Sequence, residues 1–506
     1  MVGAGQVVER ADRDVPVEDR AEPTALMARA LEAAAEDCGP AGAGRRLLEK
    51  AGSLRILRPL SWSYADPAQL VADRLGVEVD EHVQSAIGGN GPVTMAGRSA
   101  AEIAAGSLDV VLVAGADCIG TRVAARRAGV ELRKWTKQPD GTPAARAFGT
   151  DREPVTPLEK ARGLDRPRNI FPLFENALRA AGGEGIAEHR ARVAGLWSRF
   201  SEVAARNPQA WSRRAYTPEE IGTVSAENRM IAFPYPKRMN ANDRVDMGAA
   251  FILCSLSAAR AAGVPDDHMV FPLSAADATD HWFLTERQDL HRSPAIAAAA
   301  GATFDAAGLG VDDVALLDLY SCFPCAVQMA AAAIGIDLED ASRPPTVTGG
   351  LGFAGGPGNN YATHAIATMA GRLRAEPGAV GLVTGLGWYA TKHAVALWSS
   401  APGSRPFRHA EPQEEIDRSP KRSASPAGTD DAPGAVDCVV ETYTVVHGRD
   451  GEPELGILAL LDPDGRRAWG NVTDVDALRA LETSDGCGRS ARLAADGRVE
   501  LIGGER

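Results

Sequence analysis

The stretch from His82 to Asp117 limits the fold more than any other part of the chain. It reads as a short strand, the turn Gly88-Gly89-Asn90-Gly91-Pro92, a helix of small residues ending at Ala105, and an apolar strand over residues 110–114. Strand, tight turn, helix and strand in that order make the unit of a mixed α/β protein, because a helix rich in Ala can lie close against the sheet it spans. The alternation extends in both directions. Leu26, Met27, Ala30, Leu31 and Ala34 recur at helical spacing, residues 54–57 form a short buried strand, and Asp66-Pro67 opens another helix with Asp66 as N-cap.

A second series of the same kind runs from residue 249 to 384: strands at 249–254, 270–273, 315–319 and 380–384, with helices over 294–300 and up to Ile334. Residues 122–236 interrupt the pattern with Arg, Glu, Pro and Trp, which predicts a largely helical insertion. The expected organisation is an N-terminal half over 1–256 holding an insertion at about 120–236, and a C-terminal half over 257–400. Residues 401–433 have almost no large apolar side chains and read as a linker. Beyond it, short strand-like runs at 439–446, 455–461, 466–471 and 499–502 alternate with Gly-Arg-Asp-Gly and Pro-Asp-Gly turns, so 434–506 is expected to be a small, OB-like β barrel.

Charge and cysteine content narrow the function. A net charge of −13 gives no electrostatic footprint for nucleic acid or an anionic membrane. The N-terminus lacks the pattern of a secretory leader and no run of about 18 apolar residues occurs, so the expected setting is cytoplasmic without membrane insertion. Seven dispersed cysteines do not form a disulfide framework, and Cys322-Phe323-Pro324-Cys325 has no second pair to complete a metal site.

The segment Gly88-Gly89-Asn90-Gly91-Pro92 through Gly106, followed by the DVVLVAGA run at 109–116, resembles the thiolase unit that carries the nucleophile loop. Segments 242–255, 317–324, 349–361 and 381–393 resemble the remaining thiolase blocks in the right order, so the resemblance covers most of residues 1–400. It is nearest to the sterol-carrier-type thiolases and to bacterial thiolase-like proteins with a C-terminal extension. The resemblance implies an α/β five-layer fold of two similar halves with an inserted loop domain. It also implies acyltransferase chemistry of the acetyl-CoA acetyltransferase type in lipid metabolism. Coenzyme A or an acyl-CoA would be the ligand or substrate, and no resident cofactor is implied.

Against that family pattern the reactive groups are replaced. Gly89 stands at the position of the acyl-accepting cysteine, Val383-Thr384-Gly385 where a Cys-x-Gly loop would carry the second thiol, and Gly356 where a Gly-His-Pro loop would carry an imidazole. The block that is Asn-Glu-Ala-Phe or His-Asp-Cys-Phe in the family reads Leu317-Asp318-Leu319-Tyr320. Without nucleophile, base and oxyanion donors, Claisen chemistry loses its physical basis.

Cys322 is the best remaining thiol, since Pro324 opens a helix and a helix N-terminus favours the thiolate. A buried inert cysteine is the alternative. His364 and His393 adjoin the family blocks and are candidate bases, or histidines satisfied by local hydrogen bonds. Ser321, Thr384, Asn359 and Asn360 are candidate donors to an acyl carbonyl, with Gly89, Asn90 and Gly356 lining the same loops, although such residues also fill ordinary turns. Lys237 and Arg238, with Lys134 and Lys137, are candidate contacts for the coenzyme A phosphates or a solvated face. The run from Gly350 to Gly355 matches G-x-G-x-x-G with Glu376 beyond it, but Pro357 and two asparagines follow instead of a helix, so it reads as a tight loop. Two functions stay open: an altered acyl-CoA acyltransferase, or a binding protein that keeps the scaffold and uses the barrel to dock a protein partner. A nicotinamide oxidoreductase is the weaker third.

Overall fold

A computed structural model describes residues 1–10, 15–429 and 434–502. The first sheet has six strands in the order Gly3–Val8, Asp246–Cys254, Val110–Cys118, Ser53–Leu57, Glu81–Ser85 and Arg146–Phe148. The first three pair antiparallel and the rest parallel. The second sheet runs Val314–Asp318, Val380–Gly387, Lys392–Ser399, Phe271–Thr279 and His409–Ala410.

Two helices, Gly91–Ala104 and Tyr361–Ala375, lie between these sheets and touch each other. Pro23–Glu36 covers the outer face of the first sheet and Pro294–Ala307 that of the second, which makes five layers. The physical reason is visible in the strands. All nine residues of Val110–Cys118 are buried, so the strand is apolar on both faces instead of alternating. Small residues let the central helix approach: a Cβ on Gly97 would lie 2.8 Å from Ala275 Cβ and 2.7 Å from the His409 ring.

The insertion contains the helices Pro157–Ala161, Pro167–Ala181, Ile186–Arg206 and Pro218–Gly222. It also contributes a strand that the sequence reading did not include, Met230–Ala232, which pairs with Val436–His447 of the C-terminal unit. That unit is an antiparallel sheet of Arg467–Val472, Pro453–Leu461, Val436–His447, Ser490–Leu493 and Val499–Leu501. Its ends meet where Asn471 N donates to the Gly497 carbonyl at 2.8 Å, closing a small barrel. The helix Val475–Thr483, also absent from the sequence reading, packs on the barrel with Leu478 and Leu481 buried and Asp474 as its N-cap.

The barrel is tied to the body by buried polar contacts. Thr442 Oγ1 donates to the Leu173 carbonyl at 2.7 Å, Asn176 Nδ2 to the Tyr443 carbonyl at 2.8 Å, and Arg467 Nη1 to the Leu284 carbonyl at 2.9 Å. The tract expected to be a linker lies against the body over its described residues. His409–Ala410 joins the second sheet, Gln413 hydrogen-bonds the Thr279 backbone in both directions, and Ile416 is buried. Hydrogen bonds, not apolar burial, hold most of this tract in place. Residues 430–433 lie outside the described part. Among the described residues, no helix is long and apolar enough to cross a membrane.

Candidate functional site

The loops singled out in the sequence meet between the two sheets. Gly88 N donates to Asn359 Oδ1 at 2.9 Å, and Asn359 Nδ2 donates to the Arg58 carbonyl at 2.8 Å, so Asn359 clamps the Gly88-Gly89-Asn90 turn. On the other side the turn rests on the end of Val380–Gly387: a Cβ on Gly385 would be 2.8 Å from Asn90 Cα. Thr384 Oγ1 accepts from Tyr320 N at 2.8 Å, which fixes the third loop. Ser321 Oγ accepts from Leu351 N at 3.2 Å and joins the fourth, the glycine loop around Gly356.

The decisive contact is at Gly89. A Cβ added there would overlap the Tyr320 hydroxyl and lie 2.7 Å from the Leu386 carbonyl oxygen. The space of a side chain on residue 89 is therefore filled by Tyr320. Tyr320 is buried, and burial pushes its phenol far above the ordinary tyrosine range, so it stays neutral. Its ring is set edge-on against Tyr361 at 5.5 Å. Tyr361 in turn donates to Asp318 Oδ1 at 2.8 Å, while Asp318 Oδ2 accepts from Thr346 Oγ1, Val347 N, Thr348 N and Thr348 Oγ1 at 2.9 to 3.2 Å. Burial raises the Asp318 pKa even though these donors oppose it. A void of about 10 Å³ remains beside Tyr320, lined by Ile296, Ala330, Thr384, Leu386 and His393. That is room for about one water and not for an acyl chain.

Comparison with known proteins fits this geometry. Residues 412–498 match the family model described as the thiolase-like protein type 1 additional C-terminal domain. No curated protein sequence matches the chain. The crystal structure of a monomeric SCP2-thiolase like protein type 1 from Mycobacterium smegmatis is 30% identical, with a TM-score of 0.81 over 99% of this chain and 98% of that one. The chain belongs to the SCP2-thiolase-like protein type 1 family. Two more distant structures share the fold. An Ltp2-ChsH2(DUF35) aldolase is 18% identical with a TM-score of 0.57, over 79% of this chain and 97% of that one. The dimeric peroxisomal thiolase of Saccharomyces cerevisiae is 14% identical with a TM-score of 0.55, over 79% of this chain and 96% of that one.

Within this thiolase-like frame the remaining candidates fall into separate places. Gly356 differs from Gly89, because a Cβ there would make ordinary contacts of 3.4 Å with Leu351 and 3.5 Å with the Asn242 carbonyl. Asn360 donates to the Gly115 carbonyl at 2.6 Å, and its Oδ1 has no hydrogen-bond partner among the described residues. Asn90 Nδ2 donates to Thr94 at 3.2 Å. His364 lies on the face of Tyr361–Ala375 turned to the first sheet, with Nδ1 at 2.8 Å from Gln6 Oε1. Burial lowers its pKa to about 3, so the ring is neutral. His393 does line the void beside Tyr320, with Nε2 at 3.0 Å from the Ala390 carbonyl and 3.3 Å from both Ser293 Oγ and Asp280 Oδ2.

Cys322 precedes the helix Pro324–Ile334, as the sequence suggested, yet burial pushes its thiol well up, and the nearby backbone N–H groups only offset part of that. The lowered pKa expected at a helix start is not realised, because loss of water costs the thiolate more than the helix end returns. Cys325 is buried with Sγ at 3.3 Å from the Phe171 carbonyl. Lys237 is exposed and has no ion pair among the described residues, whereas Arg238 donates to the Glu220 carbonyl at 2.7 Å and stacks on Tyr216. Lys134 pairs with Asp19 at the surface. The glycine loop is a packing device: Gly349 approaches Ala204 of the inserted helix so closely that a Cβ would overlap it.

Read along the chain, Tyr320 belongs to a family block and carries no link to residue 89. The one signal in the sequence is a pair of departures from the family pattern that the resemblance implies, a glycine at residue 89 and a hydroxyl at residue 320 where that pattern has Phe.

Proposed function

We propose that this chain handles acyl-CoA on a thiolase scaffold without ordinary thiolase turnover, in a cytoplasmic setting. The filling of the residue 89 space by Tyr320 carries this reading, since no nucleophile can be presented there while that hydroxyl is in place. The water-sized void supports it further. Coenzyme A or an acyl-CoA would then bind as ligand, with the exposed Lys237 of the inserted unit a candidate contact for its phosphates. If acyl transfer occurs at all, Cys322 is the thiol to examine.

Calorimetric titration with coenzyme A and acetoacetyl-CoA, beside a thiolysis assay, tests the proposal. Binding without turnover is the expected result. Robust thiolysis that survives Cys322→Ala would sink it.

A second reading, docking of a protein partner through the barrel, is supported by an exposed apolar row. Val439 is 45% exposed and Ile502 41%, and both flank Ser490, opposite Val439 in register and accepting from Ile502 N at 2.9 Å. Absence of any coenzyme A binding would favour this second reading.

A further inference from the structure

A cavity of about 260 Å³ opens at the end of the central helix Gly91–Ala104 that is remote from the Gly89 turn. The helix has 14 residues, so its two ends stand about 20 Å apart. Ala100, Ile103 and Ala104 of that helix form one wall. The others come from the last residues of Asp246–Cys254, the first of Phe271–Thr279, and Phe407 of the 401–429 tract. The cavity lies on the seam between two apolar cores of the body: Leu253 and Val270 belong to one, and Cys254, Ala259 and Met269 to the other. Ala104 and Leu256, the latter 43% exposed, mark its mouth.

Protein interiors are close-packed, and voids larger than a water molecule are few in any domain. The space beside Tyr320, about 10 Å³, is of the small kind. The cavity at the far end of the helix is not. A dry apolar cavity of about 150 Å³ takes up benzene, so 260 Å³ gives room for about one ring with a short alkyl chain. The polar groups at its edge are already engaged. The Met1 amine donates to the Val270 carbonyl at 2.7 Å, and Ser255 Oγ donates to Asp109 Oδ1 at 2.9 Å while accepting from Ala258 N at 3.1 Å. Burial raises the Cys254 pKa, so its thiol stays neutral.

Among the described residues no side chain of the lining is charged. A carboxylate or phosphate drawn into this space would give up its water and find no opposite charge, whereas a neutral apolar molecule would only remove hydrocarbon surface from water on both sides. We infer that this cavity binds an uncharged, hydrocarbon-rich small molecule the size of an alkylbenzene. The inference is independent of the acyl-CoA reading, since the cavity lies at the opposite end of the central helix and offers no cation to a phosphate.

Butylbenzene titrated into the full chain and followed by methionine-methyl NMR tests it, because Met269 lines the cavity while Met230 lies in the sheet of the barrel and serves as internal control. A saturable shift at Met269 and none at Met230 is expected, with a higher melting temperature in the presence of the ligand. Ala100→Leu, which adds carbons inside the cavity, and Ala104→Trp, which covers its mouth, should each weaken binding by roughly tenfold or more and melt no lower than the parent. The surface position of Ala104 keeps the test valid if the inner variant folds poorly. No saturable shift at Met269, unchanged affinity in Ala104→Trp, or tighter binding of 4-butylbenzoate than of butylbenzene would each overturn the inference. So would a concentration-dependent dimer of the parent that Ala104→Trp abolishes, since a second copy would then be the occupant.

Discussion

Gly89 and Gly356 both stand where the family resemblance places a reactive side chain, and their surroundings are opposite. Around Gly89 the Tyr320 hydroxyl and the Leu386 carbonyl leave no space for a Cβ, whereas around Gly356 a Cβ would find neighbours at ordinary distances. The space beside one position is filled and that beside the other is open. The closed one is also braced, because Asp318 and Tyr361 fix the ring that fills it. A side chain could thus be added in space by a single substitution at Gly356 and could not at Gly89.

The sharpest attempt to break this contrast is Gly89→Ala. It should destabilise the fold by about 3 kcal/mol in urea denaturation, at the upper end for overpacking because one of the blocking atoms is backbone. Combined with Tyr320→Ala, the loss should be smaller than the sum of the two single losses by about 2 kcal/mol. Strict additivity would mean that Tyr320 does not fill the residue 89 space.

Removing the brace is the next largest test. Asp318→Asn leaves at least one of the buried donors around it without an acceptor, and should cost about 2 kcal/mol by the same measurement. A neutral outcome would indicate that Tyr361 and Tyr320 hold their places without the carboxylate. The smallest effect belongs to the open position: Gly356→Ala should change stability by less than about 1 kcal/mol, since the residue is not left-handed and the new methyl clashes with nothing. A loss comparable to that of Gly89→Ala would erase the distinction.

Local readings transferred well from sequence to structure where local physics governs. Asp66 caps its helix by accepting from Gln69 N at 2.9 Å, and the apolar run after Asp109 is a strand buried on both faces. Periodicity and caps act over a few residues and are written in order. Gly3–Val8 was missed because a six-residue strand rich in small residues has little periodicity of its own, and it is defined by pairing with Asp246–Cys254 far along the chain. The tract 401–429 looked unable to order itself, and it does so by borrowing partners: Arg422 N donates to the Glu286 carbonyl and Ser425 N to the Arg467 carbonyl.

The site divides in the same way. That residues 89 and 356 carry neither thiol nor imidazole can be read from the sequence alone, because a glycine has no side chain in any fold. What fills the space beside Gly89 could not be, since Tyr320 is 231 residues away and meets it only when the second sheet closes over the central helices. The same holds for Cys322, whose place before a helix is local while the burial that raises its pKa comes from the packed whole. Residue types and local order determined which side chains stand at these positions; the tertiary packing of distant segments decided which space was closed, because volume and solvent access are properties of neighbours and not of the residue itself.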